Sequence, residues 1–277
     1  MNIHLKAFEK RRPASTLIKR LQDLIGAERN DKTDARLGLT LCFIAGAVNA
    51  GGFLAVGQYT SHMSGMISAM ADNLALGGVG LVLGGIGAFL SFVIGAACSA
   101  ALINWGRRHH ARGQYALPLL FEAVLLLGFG LIGSFRDHVP FFLFLAVPLL
   151  CFIMGLQNAI ITKISRARMR TTHMTGVVTD IGIELGKLFY WNRTIGAADG
   201  RVLADRTKLR LLGSLLGAFF IGGVIGALGF NHIGFVTTVP LAILLLLLAG
   251  VPMAADAIGR RRAARDRRPP PVTGRGS

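Results

Sequence analysis

Cysteine is scarce in this chain, and its three copies, Cys42, Cys98 and Cys151, all lie inside apolar runs. An odd number without paired spacing argues against a disulfide framework and against a metal site, so we interpret the three as small buried hydrophobic residues. The chain also lacks a phosphate-loop motif, a nucleophile elbow and a zinc-site pattern. We therefore expect no enzymatic activity, no metal and no cofactor.

Acidic residues are also few, since 14 of them face 30 basic residues and the net charge is +16. A strongly basic balance can indicate nucleic-acid binding. Here, however, the basic residues stand in short clusters that flank apolar runs, a pattern typical of membrane anchoring. The sequence therefore predicts membrane lipid as a partner and no nucleic acid.

The chain is rich in long apolar runs, because hydrophobic residues make up 52% of it and runs of about 20 such residues span the ~30 Å of a bilayer core. The first run begins near Leu37, which is too late and too long for a signal peptide. We predict an all-α membrane protein with six transmembrane helices and two short re-entrant or broken helices. The predicted spans are 37–56, 79–103, 116–134, 140–161, 211–230 and 233–253, and the short helices are 62–76 and 175–186.

One motif occurs twice, as Thr60–Gly65 (TSHMSG) and as Thr171–Gly176 (TTHMTG). An asparagine in an apolar run precedes each copy, Asn49 and Asn158, and a Gly-Ala-Phe block follows each. Three matching blocks in the same order indicate a duplication. The asparagines are predicted to lie on a break in the preceding helix, and the second half carries 19 more polar residues after its motif.

These features divide the chain into four parts. Residues 1–36 form a cytoplasmic arm, either with a short amphipathic helix around Leu17 to Ile25 or partly disordered, and 37–134 form the first membrane repeat. Residues 135–256 form the second repeat, with a cytoplasmic insertion at 187–210. Residues 257–277 form a basic, proline-containing tail that we expect to be disordered.

The distribution of Lys and Arg discriminates between two topologies, both with the termini inside. If all eight apolar elements span, 23 basic residues lie inside and 7 outside; if the two short helices return without crossing, the split is 29 to 1. The positive-inside rule favours the second arrangement. In it the two repeats are inverted, which is a recurrent transporter architecture.

The duplicated motif is the predicted site. Thr and Ser before a helical run are typical N-cap residues, and the free N–H groups of a helix N-terminus bind anions. We predict that Asn49, Thr60, His62, Asn158, Thr171 and His173 line a substrate pocket. The alternative is that these side chains only satisfy the backbone of a broken helix buried in protein.

Acidic groups in or near apolar segments are the candidates for proton coupling, because they are costly in a bilayer. We single out Asp72, Asp180 and Glu184, although Glu184 can equally pair with Lys187. Glu122 belongs to the same group of candidates, but for it we favour the interpretation as an interfacial residue that pairs with Arg112. Small residues four apart, such as Gly80/Gly84, Gly87/Ser91/Gly95, Gly213/Gly217 and Gly222/Gly226, predict close helix packing and a possible homo-oligomer contact.

The blocks Gly155–Ala159 (GLQNA) and Thr171–Gly176 resemble the YoaK-like family of bacterial inner-membrane proteins. The resemblance covers about residues 37–253 and implies a multi-spanning protein of uncharacterised function. Members of that family commonly carry an acidic residue where this chain has Asn49 and an asparagine where it has Met66.

We expect a bacterial inner-membrane protein with both termini cytoplasmic. The first functional hypothesis is a small-molecule permease, for an anionic or zwitterionic solute, with its pocket at the duplicated motif. The alternative is a non-transporting sensor or scaffold that binds a protein or lipid partner through its basic termini. A channel is a third possibility.

Overall fold

The computed structural model describes residues 31–109, 114–139, 141–165, 171–190 and 202–250, and every regular element in this part of the chain is helical. The amphipathic helix predicted in the N-terminal arm and the C-terminal tail lie outside the described residues. The helices are α1 (Asp31–Val56), α2 (Met63–Ala75), α3 (Val79–Arg108), α4 (Ala116–Ser134), α5 (Phe142–Ile164), α6 (Met174–Phe189) and α7 (Arg206–Ile233), followed by helical residues 238–250, here called α8.

Five stretches are long and apolar enough to cross a membrane: Asp34–Val56, Val79–Arg108, Ala116–Ser134, Phe142–Ile164 and Arg206–Gly250. The last contains both α7 and α8. Neither α2 nor α6 qualifies, because they have 13 and 16 residues and rise ~20–24 Å at 1.5 Å per residue. The prediction of an all-helical membrane protein with two additional short helices is confirmed at this level.

The helix α1 is continuous through Asn49–Gly52, so the predicted break at these residues is wrong. Close packing explains why glycine does not interrupt it here. A side chain at Gly51 would collide with the ring of Phe230, and one at Gly52 would come within 3.2 Å of Leu150. Phe230 of α7 and Leu150 of α5 thus occupy the space next to the two glycines and hold this part of α1 in place.

The connection between α7 and α8 also differs from the prediction. Asn231 and His232 belong to α7, and the turn is the 3₁₀ segment Gly234–Thr237, which begins at a positive φ of 61°. The Phe235 ring of this turn packs edge-on against Phe129 of α4 and Phe142 of α5. The α7–α8 turn therefore lies beside the α4–α5 connection, at the same end of the bundle.

The closest approach in the bundle joins α1 to α7. A side chain at Gly46 would overlap the carbonyl oxygen of Phe219, and one at Gly222 would overlap the carbonyl oxygen of Phe43. Each helix therefore presents the same Phe-x-x-Gly sequence to the other. Glycine is required because it allows the two backbones to touch.

The same arrangement joins α3 to α5. A side chain at Gly95 would overlap the carbonyl oxygen of Phe152, and one at Gly155 would overlap that of Phe92. In each of the two pairs, α1 with α7 and α5 with α3, the first helix of one half thus packs on the third helix of the other half. Both pairs use the same Phe-x-x-Gly contact. The sequence pattern did not indicate Phe as the partner of each glycine.

Several glycines that were predicted to mediate packing have open space around them. Gly95, Gly222 and Gly226 meet a neighbouring backbone, as predicted, whereas a Cβ at any of five others would meet nothing within 4 Å: Gly80, Gly84, Gly87, Gly213 and Gly217. For these five the predicted contact within the protein is wrong. They lie on the outer faces of α3 and α7.

The first helices of the two halves, α1 and α5, run in opposite directions. Near the start of α1, the backbone oxygen of Leu41 accepts a hydrogen bond from Gln157, late in α5. Near the end of α1, Gly52 lies against Leu150, early in α5. Residue numbers rise along one helix as they fall along the other, so the two helices are antiparallel.

Candidate functional site

Both copies of the motif form the entry to a short helix. His62 is the N-cap of α2 and His173 is the N-cap of α6, with similar backbone angles (φ −93° and −82°, ψ 72° and 56°). Neither side chain caps its helix by a hydrogen bond, and both histidines are exposed. The imidazoles are therefore available to a ligand at the positive end of a helix dipole.

The glycine that ends each motif has a definite steric role. A side chain at Gly65 would lie only 2.6 Å from Nδ1 of His62, and one at Gly176 would overlap Nδ1 of His173. Each imidazole thus folds over the first turn of its own helix and rests on the glycine three residues later. This contact explains the spacing His-x-x-Gly in both copies.

Each asparagine holds the motif that follows it, although neither lies on a helix break. The Oδ1 atom of Asn49 accepts a hydrogen bond of 2.8 Å from Ser61. The Oδ1 atom of Asn158 accepts hydrogen bonds from Thr172 at 2.9 Å and from Thr171 at 3.2 Å. The asparagine therefore has the same structural role in both halves: its side-chain oxygen accepts the hydrogen bonds that orient the Thr/Ser segment.

The helix α1 borders both motifs. Ser61 of the first motif bonds to Asn49, and the backbone oxygen of Thr171 in the second motif lies 3.7 Å from Sγ of Cys42. Cys42 and Asn49 are seven residues apart, which is ~10 Å and about two turns of one helix face. Each motif thus has one contact with α1, although no hydrogen bond joins the two imidazoles within the described residues.

The three predicted proton-coupling residues have different surroundings. Asp72 is exposed on α2. Asp180 lies 3.7 Å from Lys208, a partly exposed ion pair. Glu184 is buried and ion-pairs with Lys187 at 3.0 Å and with Lys208 at 3.7 Å, so its predicted pairing with Lys187 is confirmed.

The Glu184 carboxylate also receives a backbone hydrogen bond, of 2.9 Å, from the N–H of Asp205. This bond, followed by the hydrogen bond from Lys187, holds the pKa of Glu184 below its usual value. Asp205 in turn caps α7 by accepting from the N–H groups of Thr207 and Lys208. Glu184 therefore stays ionised at neutral pH and fastens α6 to the start of α7.

Glu122 is placed differently from the prediction. It is the seventh residue of α4 and is fully buried, and neither carboxylate oxygen has a hydrogen-bond partner in the described part of the chain. It is therefore not an interfacial side chain, and its predicted partner, Arg112, lies outside the described residues. The sequence signal that could have identified it is a single acid within a run of apolar residues.

Other buried polar atoms in the described part of the chain share this lack of a partner. The hydroxyl of Thr60 in the first motif, the hydroxyl of Ser99 on α3 and Oε1 of Gln157 on α5 also lack a hydrogen-bond partner in the described residues. Gln157 precedes Asn158 directly, so part of this polarity belongs to the duplicated block. Among the described residues, no group of three or more His, Cys, Asp or Glu could hold a metal ion.

A family model covers residues 37–251, which is most of the chain. Its description is "Protein of unknown function (DUF1275)", so the match assigns no activity. No curated protein and no solved structure matches the chain. The resemblance to YoaK-like proteins stays a prediction. Both His motifs and the paired glycine contacts lie inside the matched region. Because the match covers most of the sequence, the chain belongs to the DUF1275 family.

Proposed function

We propose that this protein is a small-molecule permease of the bacterial inner membrane, built from two inverted repeats with six transmembrane helices, two short re-entrant helices and cytoplasmic termini. Its substrate site lies at the duplicated motif and takes an anionic or zwitterionic solute. The single observation that carries the proposal is the pair of matched Asn–hydroxyl–His assemblies on helices that run in opposite directions.

The direction of the helices supports the inverted arrangement. Repeats of equal orientation would place α1 and α5 parallel, whereas these helices are antiparallel through the contacts Leu41–Gln157 and Gly52–Leu150. Transporters of this type place substrate between two half-structures related by an axis in the membrane plane. The two reciprocal Phe-x-x-Gly contacts fit the same axis.

The turns support the same topology. With the N-terminus inside, α7 carries the Gly234–Thr237 turn to the outer side in both arrangements considered. Phe235 of that turn packs against Phe129 and Phe142, so the α4–α5 connection also belongs outside. The inverted arrangement requires the α4–α5 connection to be outside. With this placement only one basic residue of the predicted loops lies outside, as the positive-inside rule favours.

The chemistry of the site favours an acidic group on the solute. Two exposed imidazoles stand at helix N-termini, where N–H groups and the helix dipole attract negative charge. The hydroxyls of the preceding Thr/Ser segments donate hydrogen bonds to Asn49 and Asn158. These bonds fix the segments, so the backbone N–H donors at the helix N-termini are held in place before a ligand arrives. Preorganised donors bind more tightly because less ordering is required on binding.

A thermal-shift screen of the purified protein against small carboxylates, phosphate, sulfate and amino acids tests the binding site. A ligand that binds the folded state raises the melting temperature by mass action. We expect a hit whose shift disappears in the His62→Ala/His173→Ala double variant.

The matched control is His232→Ala. This histidine is exposed on α7, and its Nδ1 lies 2.9 Å from the Leu228 carbonyl oxygen, away from both motifs. The control should keep the full shift. If every hit survives in the double variant, the motif does not bind the solute and the permease proposal loses its site.

The sensor or scaffold hypothesis remains the second proposal, with a protein or lipid partner at the basic termini. Residues 1–30 and 251–277 lie outside the described residues. A variant without both segments separates the two hypotheses, since a permease should keep its ligand shift and a scaffold should lose its partner. A homo-oligomer through the outward glycines of α3 and α7 stays a prediction of the same kind.

A further inference from the structure

The carboxyl group of Glu122 lies in a wholly apolar part of α4. The side chains that share its buried face, Leu119, Ala123, Leu126 and Phe129, are all exposed by 1% or less. Both carboxylate oxygens lack a hydrogen-bond donor in the described residues. An ionised carboxylate without a partner is strongly disfavoured in such surroundings, because nothing replaces its hydration.

No charged group described on the packed elements forms a hydrogen bond with Glu122. The helices α3 and α5 pack against α4, as does the Gly234–Thr237 turn, and Thr238 at the start of α8 meets Gly130. Their described cations are Arg107, Arg108 and Lys163, all in the last turns of α3 and α5. Arg107 donates a hydrogen bond to Gln114 and Lys163 donates one to Asn104.

The other titratable groups on these elements are thiols. Cys98 lies on α3 and Cys151 on α5, and neither can neutralise a carboxylate. The Gly234–Thr237 turn and the described part of α8 carry no titratable side chain. Among the residues that the structure describes, no side chain on these elements therefore neutralises the Glu122 carboxylate.

A series of contacts connects the helix turn of Glu122 with the first motif. The ring of its neighbour Phe121 packs edge-on against Phe152 of α5 at 6.0 Å. Two residues earlier on α5, Leu150 contacts Gly52 of α1. Gly52 is one turn beyond Asn49, which holds Ser61 of the motif. A conformational change at the first motif would thus reach the helix turn of the acid.

We propose that Glu122 is a proton-binding site: its carboxyl group is protonated in this closed arrangement and releases the proton when water reaches it from one side of the membrane. The chemistry is a reversible O–H bond, with water as the proton acceptor. That this proton drives solute movement rests on the permease proposal; that Glu122 holds a proton does not.

The pH dependence of stability tests the proton site without any solute. In the unfolded state Glu122 is ionised above about pH 4.3. If the folded protein keeps the proton, unfolding releases one proton, and the unfolding equilibrium shifts tenfold towards the unfolded state for each pH unit. We expect the unfolding equilibrium constant, measured in mixed micelles between pH 6 and 8, to show this dependence on pH. In Glu122→Gln the dependence should be smaller by one factor of ten per pH unit.

Two further measurements keep the test decisive. Glu184→Gln is the matched control, since Glu184 is ionised in both states across this range and its removal should leave the slope unchanged. If Glu122→Gln does not fold, the apolar variant Glu122→Leu replaces it. Infrared spectra of the folded parent should show a protonated-carboxyl C=O band that is absent from whichever variant folds.

An equal slope in parent and variant, with no such band, overturns the proton site. A second outcome is that Glu122→Gln reduces the pH dependence of unfolding but no solute raises the melting temperature in the screen above. That outcome retains the proton site and rejects the permease. The two proposals therefore fail separately.

Discussion

The two halves of this protein share the assembly that holds the His motif but differ in what surrounds it. Asn49 and Asn158 accept hydroxyl hydrogen bonds in the same way, and both imidazoles rest on a glycine three residues later. On α2, Asn73 occupies the position that corresponds to Glu184 on α6, and its side chain donates a hydrogen bond to the Ala69 carbonyl oxygen of the same helix. The first half instead carries the buried Glu122.

This difference separates what is common to the motif from what each half adds. The common part orients donors at a helix N-terminus. The second half adds an ionised glutamate that fastens α6 to α7, and the first half adds an acid without a partner in the described residues.

The largest expected effect is at the glycine crossings. Gly222→Ala should destabilise by about 3 kcal/mol or prevent folding, because the new methyl group overlaps the carbonyl of Phe43 and a backbone must move. Gly95→Ala should cost a similar amount at the equivalent crossing. Melting temperatures of the purified variants measure both.

The matched controls are Gly217→Ala and Gly87→Ala, which lie on the same two helices with nothing within 4 Å. These should be neutral or slightly stabilising. Unequal costs at the two crossings would show that the halves do not share one packing scheme.

The second largest effect compares the asparagines. Asn158 accepts two hydroxyl hydrogen bonds and Asn49 accepts one, and each bond contributes about 1 kcal/mol. Asn158→Ala should therefore destabilise by about 2 kcal/mol and Asn49→Ala by about 1 kcal/mol. Denaturant unfolding measures the pair, and a larger cost at Asn49 would contradict the assigned hydrogen bonds.

A smaller effect tests the His–Gly contact. In the parent, Gly176→Ala should be neutral or destabilising, since the methyl group meets the His173 ring. In a His173→Ala background the same change should stabilise by about 0.5–1 kcal/mol, the usual gain of Gly→Ala in a helix.

The control for this cycle is Gly182→Ala on α6, which has open space and should stabilise in both backgrounds. Gly65→Ala with His62→Ala should repeat the cycle in the first half. Two additive cycles would mean that neither imidazole rests on its glycine.

The smallest effect is confined to acid. The pKa of Glu184 is lowered, chiefly by the Asp205 backbone N–H, so its contribution is complete above its unfolded value of about 4.3. That contribution is lost as the pH falls through the lower folded value. The parent should lose stability there, whereas Glu184→Gln should lack this loss.

Asn73→Ala, at the corresponding position of the first half, should leave the acid profile of the parent unchanged. Melting temperatures between pH 7 and pH 3 decide this. An identical acid profile in parent and Glu184→Gln would show that the ion pairs do not hold the two helices together.

Much of the fold follows from local sequence. The ends of α2 and α4 match their predicted bounds within one residue, because Gly-Gly, Asn and charged residues delimit their apolar runs. The duplicated block likewise located the starts of α2 and α6, although the N-cap residues are His62 and His173 and not the predicted Thr or Ser. These features depend on neighbours in the chain, which a sequence displays directly.

The errors all depend on partners distant in the chain. Asn49–Gly52 reads as a break, yet Phe230 and Leu150 pack there and α1 continues. Gly87 and Gly95 look alike in sequence, yet only Gly95 meets a backbone. The sequence favours an interfacial position for Glu122 because the helices that bury it lie elsewhere in the chain. Tertiary contact, not spacing, decides each case.

The inverted arrangement of the halves is the central claim, and labelling of single cysteines from each side of the membrane tests it most directly. In a background with Cys42, Cys98 and Cys151 replaced by alanine, Asp137→Cys should react with an impermeant thiol reagent from outside the cell. His109→Cys should react only after the inner side is opened. The reverse pattern would make the repeats parallel and contradict the account.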